Sequence, residues 1–223
     1  MTALDFVRPR MPKKFILIEG IDGSGKDTFA NILAERIKER YGFYKNAPLS
    51  ICGQPAFRFD AQGIIRRFIE NGETSGTSFE NMCSLLTENR FLHSREGEMA
   101  GFRGGITICI RGILTELATL ERVYNQKADH SLGQTDIIDH LIVVDVEPEL
   151  AWERISKRGV PLDWRETPEN LCFFRDFFLK TAPFVAHAHS FVVIRNTGSF
   201  EELNTHAVCL IEDLVRENIS GDQ

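Results

Sequence analysis

The segment Phe15-Ile16-Leu17-Ile18-Glu19-Gly20-Ile21-Asp22-Gly23-Ser24-Gly25-Lys26-Asp27-Thr28 constrains this chain more than any other. Its first five residues include four apolar ones and end at a glycine, the composition of a strand buried on both faces. From Lys26 the apolar spacing becomes helical, with Phe29, Ile32, Leu33 and Ile37 on one side. Between the two, Gly20 to Lys26 match the pattern G-x-x-x-x-G-K. Strand, glycine turn and helix in that order aim successive N–H groups and the helix N-terminus at one point, where they attract an anion. Lys26 adds a compact charge suited to the β and γ phosphates of a nucleoside triphosphate. The segment therefore predicts a phosphate-binding loop in which Gly20, Ile21, Asp22, Gly23, Ser24, Gly25, Lys26, Asp27 and Thr28 surround ATP.

One position departs from the pattern. The residue after the lysine is ordinarily Ser or Thr, whose hydroxyl holds Mg²⁺ between the terminal phosphates. Here it is Asp27, so the expected metal contact is a carboxylate. Its charge binds Mg²⁺ more tightly than a hydroxyl, and repels the phosphates wherever the metal is not between them. Thr28 lies one residue on, turned by roughly 100° around the helix, and does not take over. Nucleotide binding thus follows more directly from this segment than phosphoryl transfer does.

Five apolar runs alternate with helical stretches: Phe15–Glu19, Leu49–Cys52, Ile106–Ile110, Leu141–Val146 and Phe191–Arg195. That alternation predicts a five-stranded parallel sheet with helices on both faces. Helices are expected over Lys26–Tyr41, Gly63–Asn71, Ser78–Ala100, Arg111–Asn125, Pro148–Arg158, Thr167–Ala186 and Phe200–Asn218. At 223 residues the chain suits one α/β domain, residues 14–219, behind a loose tail of residues 1–13. The tail has basic residues but no apolar core of a signal peptide, and no segment approaches the length of a membrane span. Five scattered cysteines without C-x-x-C spacing read as buried free thiols, and the expected location is cytoplasmic. A net charge of −6 with no basic run argues against a nucleic-acid partner, so anionic substrates must be met by local arginines.

Ligands of such sheets bind at the carboxyl ends of the strands. Arg58 follows the second strand, Arg90 lies in the long middle helix, and Arg111 is the first polar residue after the third strand. Arg111 has no apolar surface to lie on and suits a bidentate anion clamp, an ion pair with a nearby carboxylate being the alternative. A second basic group, Arg154, Lys157, Arg158 and Arg165, is interleaved with Asp163 and Glu166 around the helix-breaking Gly159 and Pro161. It reads either as a charged flap over about residues 154–168, able to close on a nucleotide, or as a solvated loop.

In this order the pieces resemble the thymidylate kinases, P-loop nucleoside monophosphate kinases that move the ATP γ-phosphate to dTMP. The match is strongest over Ile18–Lys26. Leu85-Leu86-Thr87-Glu88-Asn89-Arg90 is similar to that family's helix with an Asn-Arg or Asp-Arg pair, and Leu141–Arg158 with Asp163, Arg165, Glu166 and Phe173-Phe174 to its fourth strand, lid and next helix. The run from Asn196 to Leu203 also fits. The resemblance implies ATP and Mg²⁺ as cofactors, nucleotide substrates and a homodimer, for which the apolar helix from Phe79 onward offers a face. It implies Lys26 and the loop glycines on the ATP phosphates, Asp22 on the acceptor 3′-hydroxyl, Arg90 on the base and Arg111 on the acceptor phosphate. The catalytic arginine would come from Arg154, Arg158 or Arg165, with Glu166 as lid carboxylate. Asn89 completes the helical pair on the acceptor side.

Departures cluster around the acceptor and the metal. Ile110-Arg111-Gly112 stands where the family has Asp-Arg-Tyr, and Leu86 where an aromatic stacks on thymine. Gly53-Gln54-Pro55-Ala56 lacks the arginine found after the second strand, leaving Arg58 as substitute, and Thr119-Leu120 replace Tyr-Gln. Three readings follow: a nucleoside monophosphate kinase with dTMP leading, a nucleotide-binding protein without catalysis, and a kinase for another small acceptor.

Overall fold

The strand that opens the motif, β1 (Lys14–Glu19), pairs in parallel with β3 (Ile106–Ile110) on one side and with β4 (His140–Asp145) on the other. β2 (Leu49–Gly53) adds to β3, and β5 (Ser190–Arg195) adds to β4. The order β2-β3-β1-β4-β5 is the five-stranded parallel sheet expected from the alternating pattern. The computed structural model behind this description covers residues 14–41, 49–53, 60, 62–101, 105–129, 138–185 and 190–220. The N-terminal tail, the Gln54-Pro55-Ala56 run and Arg58 lie outside the described residues.

Side chains alternate across each strand, so a central parallel strand buries both of its faces. Ile16 and Ile18 of β1, Ile106 and Ile108 of β3, and Ile142 and Val144 of β4 meet α1 (Lys26–Tyr41) and α7 (Phe200–Ser220). Leu17, Cys109, Leu141 and Val143 face the other way, toward α2 (Ile64–Asn71), α3 (Phe79–Gly101), α4 (Ile113–Tyr124), α5 (Pro148–Ser156) and α6 (Pro168–Val185). The four apolar residues expected on the inner face of α1 are buried, Phe29 completely. Truncating Phe29 to Ala would cost about 3–5 kcal/mol through lost transfer energy and the cavity left behind.

Two of the helix boundaries that differ from the sequence reading bear on the site. α4 begins at Ile113 rather than Arg111, because Arg111 takes φ +64° and Gly112 is extended before the helix starts. α5 stops at Ser156, two residues short of Arg158, where the Arg158 N–H closes a tight turn on the Ile155 carbonyl (3.0 Å) and Gly159 follows at φ +67°. Both differences move an arginine out of a helix and onto the rim above the sheet. No described helix is long and apolar enough to cross a membrane.

Candidate active site

The turn between β1 and α1 is held from outside by two side chains far away in sequence. Arg154 Nη1 of α5 donates to the Gly23 carbonyl (3.0 Å), and Asn196 Nδ2, just past β5, donates to the Ser24 carbonyl (2.6 Å). Asn196 is itself fixed, since its Oδ1 accepts the Gly198 N–H (3.0 Å). Glycine is needed here for two reasons. Gly23 and Gly25 have φ +78° and +86°, and a Cβ would lie 2.7 Å from the Ala151 carbonyl oxygen at Gly23 and 2.5 Å from Asn196 Nδ2 at Gly25. With these carbonyls engaged from behind, the loop presents its inner side and the start of α1 to the sheet's carboxyl edge, the arrangement that binds phosphate.

Lys26 is almost fully buried, and its ammonium donates to the Ile21 carbonyl (3.3 Å) and to Asp22 Oδ1 (3.1 Å). Burial lowers the lysine pKa, opposed by the charges of Asp22 and Asp27. Asp22 also pairs with Arg111. Burial alone would raise the Asp22 pKa, but Lys26, Arg111 and Arg165 outweigh it and hold the carboxylate well below its ordinary range. Asp22 thus links two cations that the resemblance implies for different substrates. Without them it would be an uncompensated charge in a largely dehydrated site.

Arg111 is positioned from below by a residue that sequence reasoning passed over. Glu19, the buried carboxylate closing β1, accepts the N–H groups of Leu114 (3.1 Å) and Thr115 (3.3 Å) and the Thr115 hydroxyl (2.6 Å). It acts as the N-cap that Gly112 cannot supply, from another strand. Burial raises its pKa against the lowering effect of the Thr115 and Leu114 hydrogen bonds and of Lys26. A second constraint is backbone pairing, since the Arg111 N–H donates to the Ile18 carbonyl (3.0 Å). The signal in the sequence was a carboxylate ending an otherwise apolar strand.

A cavity of about 970 Å³ opens above these strand ends. It brings together Asp22, Asp27, Arg111, Arg158, Arg165 and Glu166 from the expected set, with Cys52 and Gly53 of β2 beside them. Asp27 points outward, with 73% of its side chain exposed, and Thr28 is exposed as well. The flap is not a solvated loop over its second half. Asp163 caps a 3₁₀ turn, Trp164–Glu166, and Arg165 and Glu166 are buried. Arg165 grips Asp163 with two hydrogen bonds (3.1 and 2.7 Å), and Arg158 pairs with Glu166. Trp164 anchors the turn, donating Nε1–H to the Ile69 carbonyl at the end of α2 (3.1 Å) and meeting Phe174 of α6 edge to face at 6.0 Å.

Other expected residues lie elsewhere. Arg154 sits behind the phosphate loop rather than on the flap. Leu86 is in the core between α3 and its neighbours, and Asn89 lines a separate cavity of about 240 Å³ with Asp60 and Glu88. Arg90 is buried and ion-paired with Glu116, a fully buried carboxylate of α4 that the sequence reading did not single out. Among the described residues no group of three or more His, Cys, Asp or Glu is placed to hold a metal by itself.

No family model matches this sequence. Curated proteins do. A probable thymidylate kinase of Methanosarcina acetivorans is 29% identical over 218 residues, 92% of this chain and 98% of that protein. One of Archaeoglobus fulgidus is 29% identical over 213 residues, covering 90% and 95%. The thymidylate kinase of Xylella fastidiosa is 24% identical over 209 residues, covering 92% and 94%. Among solved structures, the thymidylate kinase of Ehrlichia chaffeensis superposes with a TM-score of 0.54 at 19% identity, covering 89% of this chain and 98% of that one. The likeness in structure establishes the P-loop NTPase fold. Over about nine-tenths of its length the chain is thus similar, at 24–29% identity, to several proteins named thymidylate kinase or probable thymidylate kinase.

Proposed function

We propose that the chain is an ATP-dependent nucleoside monophosphate kinase, with dTMP as the leading acceptor. One observation carries this reading: Asp22 joins Lys26 and Arg111 at the ends of β1 and β3, facing Arg158 and Arg165 across the cavity. Two sets of phosphates with an in-line transfer between them need that arrangement of cations. Lys26 and the loop N–H groups would hold the ATP phosphates, and Arg111 the acceptor phosphate. Asp22 would receive the acceptor hydroxyl while restraining both cations. Arg158 and Arg165 would bring positive charge to the phosphoryl group in flight, and no side-chain nucleophile is required.

The residues fit Mg²⁺. Carboxylate oxygens are its preferred donors, and it takes one or two of them with substrate phosphates and water rather than a full protein cage. Asp27, which lines the cavity, would hold it. When bound, it would supply positive charge against the substrate phosphates.

A second reading, nucleotide binding without catalysis, draws on Ile110, which places no carboxylate at the end of β3. A third, another acceptor, draws on Leu86 and Arg90, both occupied inside the fold. A homodimer through α3 would use Phe91 and Leu92, which stay exposed there, and sedimentation of a Phe91→Glu variant tests it. The deciding experiment is acceptor-stimulated ADP release from Mg²⁺-ATP across a panel of nucleoside monophosphates, with Lys26→Ala as control. Turnover with dTMP supports the first reading. ATP binding without stimulation by any nucleotide selects the second, and stimulation only by another acceptor selects the third.

A further inference from the structure

Cys52 and Cys109 are direct partners in the parallel ladder between β2 and β3. In-register parallel neighbours project to the same face, and both cysteines pack into the same apolar cluster. The strand spacing sets their Cα atoms about 4.8 Å apart, inside the range of roughly 4.4–6.8 Å that a disulfide spans. Burial pushes the Cys109 thiol well up, and the neighbouring Cys52 adds to that shift. They differ in access, because Cys52 lines the large cavity while Cys109 is fully buried beneath it. The Cys109 thiol donates to the Arg111 carbonyl (3.5 Å), and Cys52 to the Ile108 carbonyl (3.7 Å).

We propose that Cys52 and Cys109 form a reversible dithiol–disulfide pair whose oxidation withdraws support from the Arg111 turn and so lowers turnover. The effect on turnover rests on the kinase reading above; the pair itself does not. A low-molecular-weight disulfide such as glutathione disulfide is the oxidant. The Cys52 thiolate attacks one of its sulfurs and releases one glutathione, leaving a mixed disulfide. The Cys109 sulfur then attacks Cys52 and releases the second. Two thiols become one disulfide, and the oxidant is reduced to two thiols.

Parallel strands hold the two Cβ atoms near the strand spacing, wider than the mean of about 3.8 Å in disulfides. The bond therefore forms under strain and is readily reduced, the property of a regulatory rather than a structural disulfide. Forming it turns the Cys109 sulfur toward β2 and removes its S–H from the Arg111 carbonyl. Arg111 already holds the left-handed φ of +64°, so a lost partner there shifts the guanidinium that meets Asp22.

The test is to incubate the full chain with glutathione disulfide, alkylate and map peptides. The expected product joins Cys52 to Cys109, without Cys83, Cys172 or Cys209, and is reversed by dithiothreitol. Turnover with dTMP, measured on the same sample, falls about tenfold or more, since a misplaced substrate-positioning group has an effect of that order, and returns on reduction. In Cys52→Ser, turnover relative to the variant's own reduced state no longer depends on the oxidant, whereas Cys109→Ala stops at a glutathione adduct on Cys52 and yields no intrachain disulfide. A stable glutathione adduct on Cys52 with Cys109 still open to alkylation after unfolding overturns the pair. The disulfide with unchanged turnover overturns the switch. If the reduced chain shows no turnover with dTMP, the kinase reading has failed, and the peptide map still decides the pair.

Discussion

The glycine loop and the facing wall of the cavity, proposed above to hold ATP and the acceptor, share Asp22, yet they are held in different ways. The loop takes its shape from its own backbone, with glycines at positive φ and two outside side chains gripping its carbonyls. The facing wall is assembled from side chains of distant elements: Glu19 of β1 caps α4, Arg111 follows β3, and Trp164 docks the flap between α2 and α6. A site made from backbone tolerates few substitutions and reads as a short motif. A site made from converging side chains can lose one member and keep its frame.

The sharpest test of that contrast is Lys26→Ala. Losing a buried cation aimed at transferring phosphates should reduce turnover by about 10²–10³-fold and weaken ATP binding measured by calorimetry. Unchanged ATP affinity would remove the loop from the reading. Next is Gly25→Ala, expected to cost about 2–3 kcal/mol in urea unfolding, because the new Cβ meets a fixed Asn196 at a φ unsuited to alanine. Arg111→Lys keeps the charge and loses the planar fork, so the acceptor KM should rise about 10–100-fold while the ATP KM stays within a factor of two. Parallel rises in both constants would mean that the two sides are not separable.

Smaller effects are expected further out. Trp164→Ala should cost about 2 kcal/mol, less than a fully enclosed tryptophan because this one is half-buried, and should reduce turnover more than ATP binding. A separate test reads a pH effect at Asp22. Its folded pKa is depressed, so its contribution to stability is complete above the ordinary carboxylate value of about 3.9 and fades as pH falls through the lower folded value. In thermal unfolding across the acid range, Asp22→Asn should be less stable at neutral pH and show a shallower acid decline. An identical acid decline in both proteins would place the titrating group elsewhere.

The sheet, its order of elements and the glycine turn between β1 and α1 were legible in the sequence because they rest on local rules: apolar runs for buried strands, 3.6-residue spacing for helices, and glycines where φ must be positive. The expected ends of five strands and seven helices agree with the structure to within a residue or two. Tertiary structure alone decided which charged groups share the cavity. Nothing within a few residues of Arg90 marks it for Glu116 in another helix, or Arg154 for the back of the loop, whereas Arg158 and Arg165 reach the rim. Nor does local sequence set Cys52 beside Cys109, which depends on the register of two strands more than fifty residues apart. Periodicity records how a segment meets the core, but a long charged side chain is placed by whichever partner the finished fold brings within its reach.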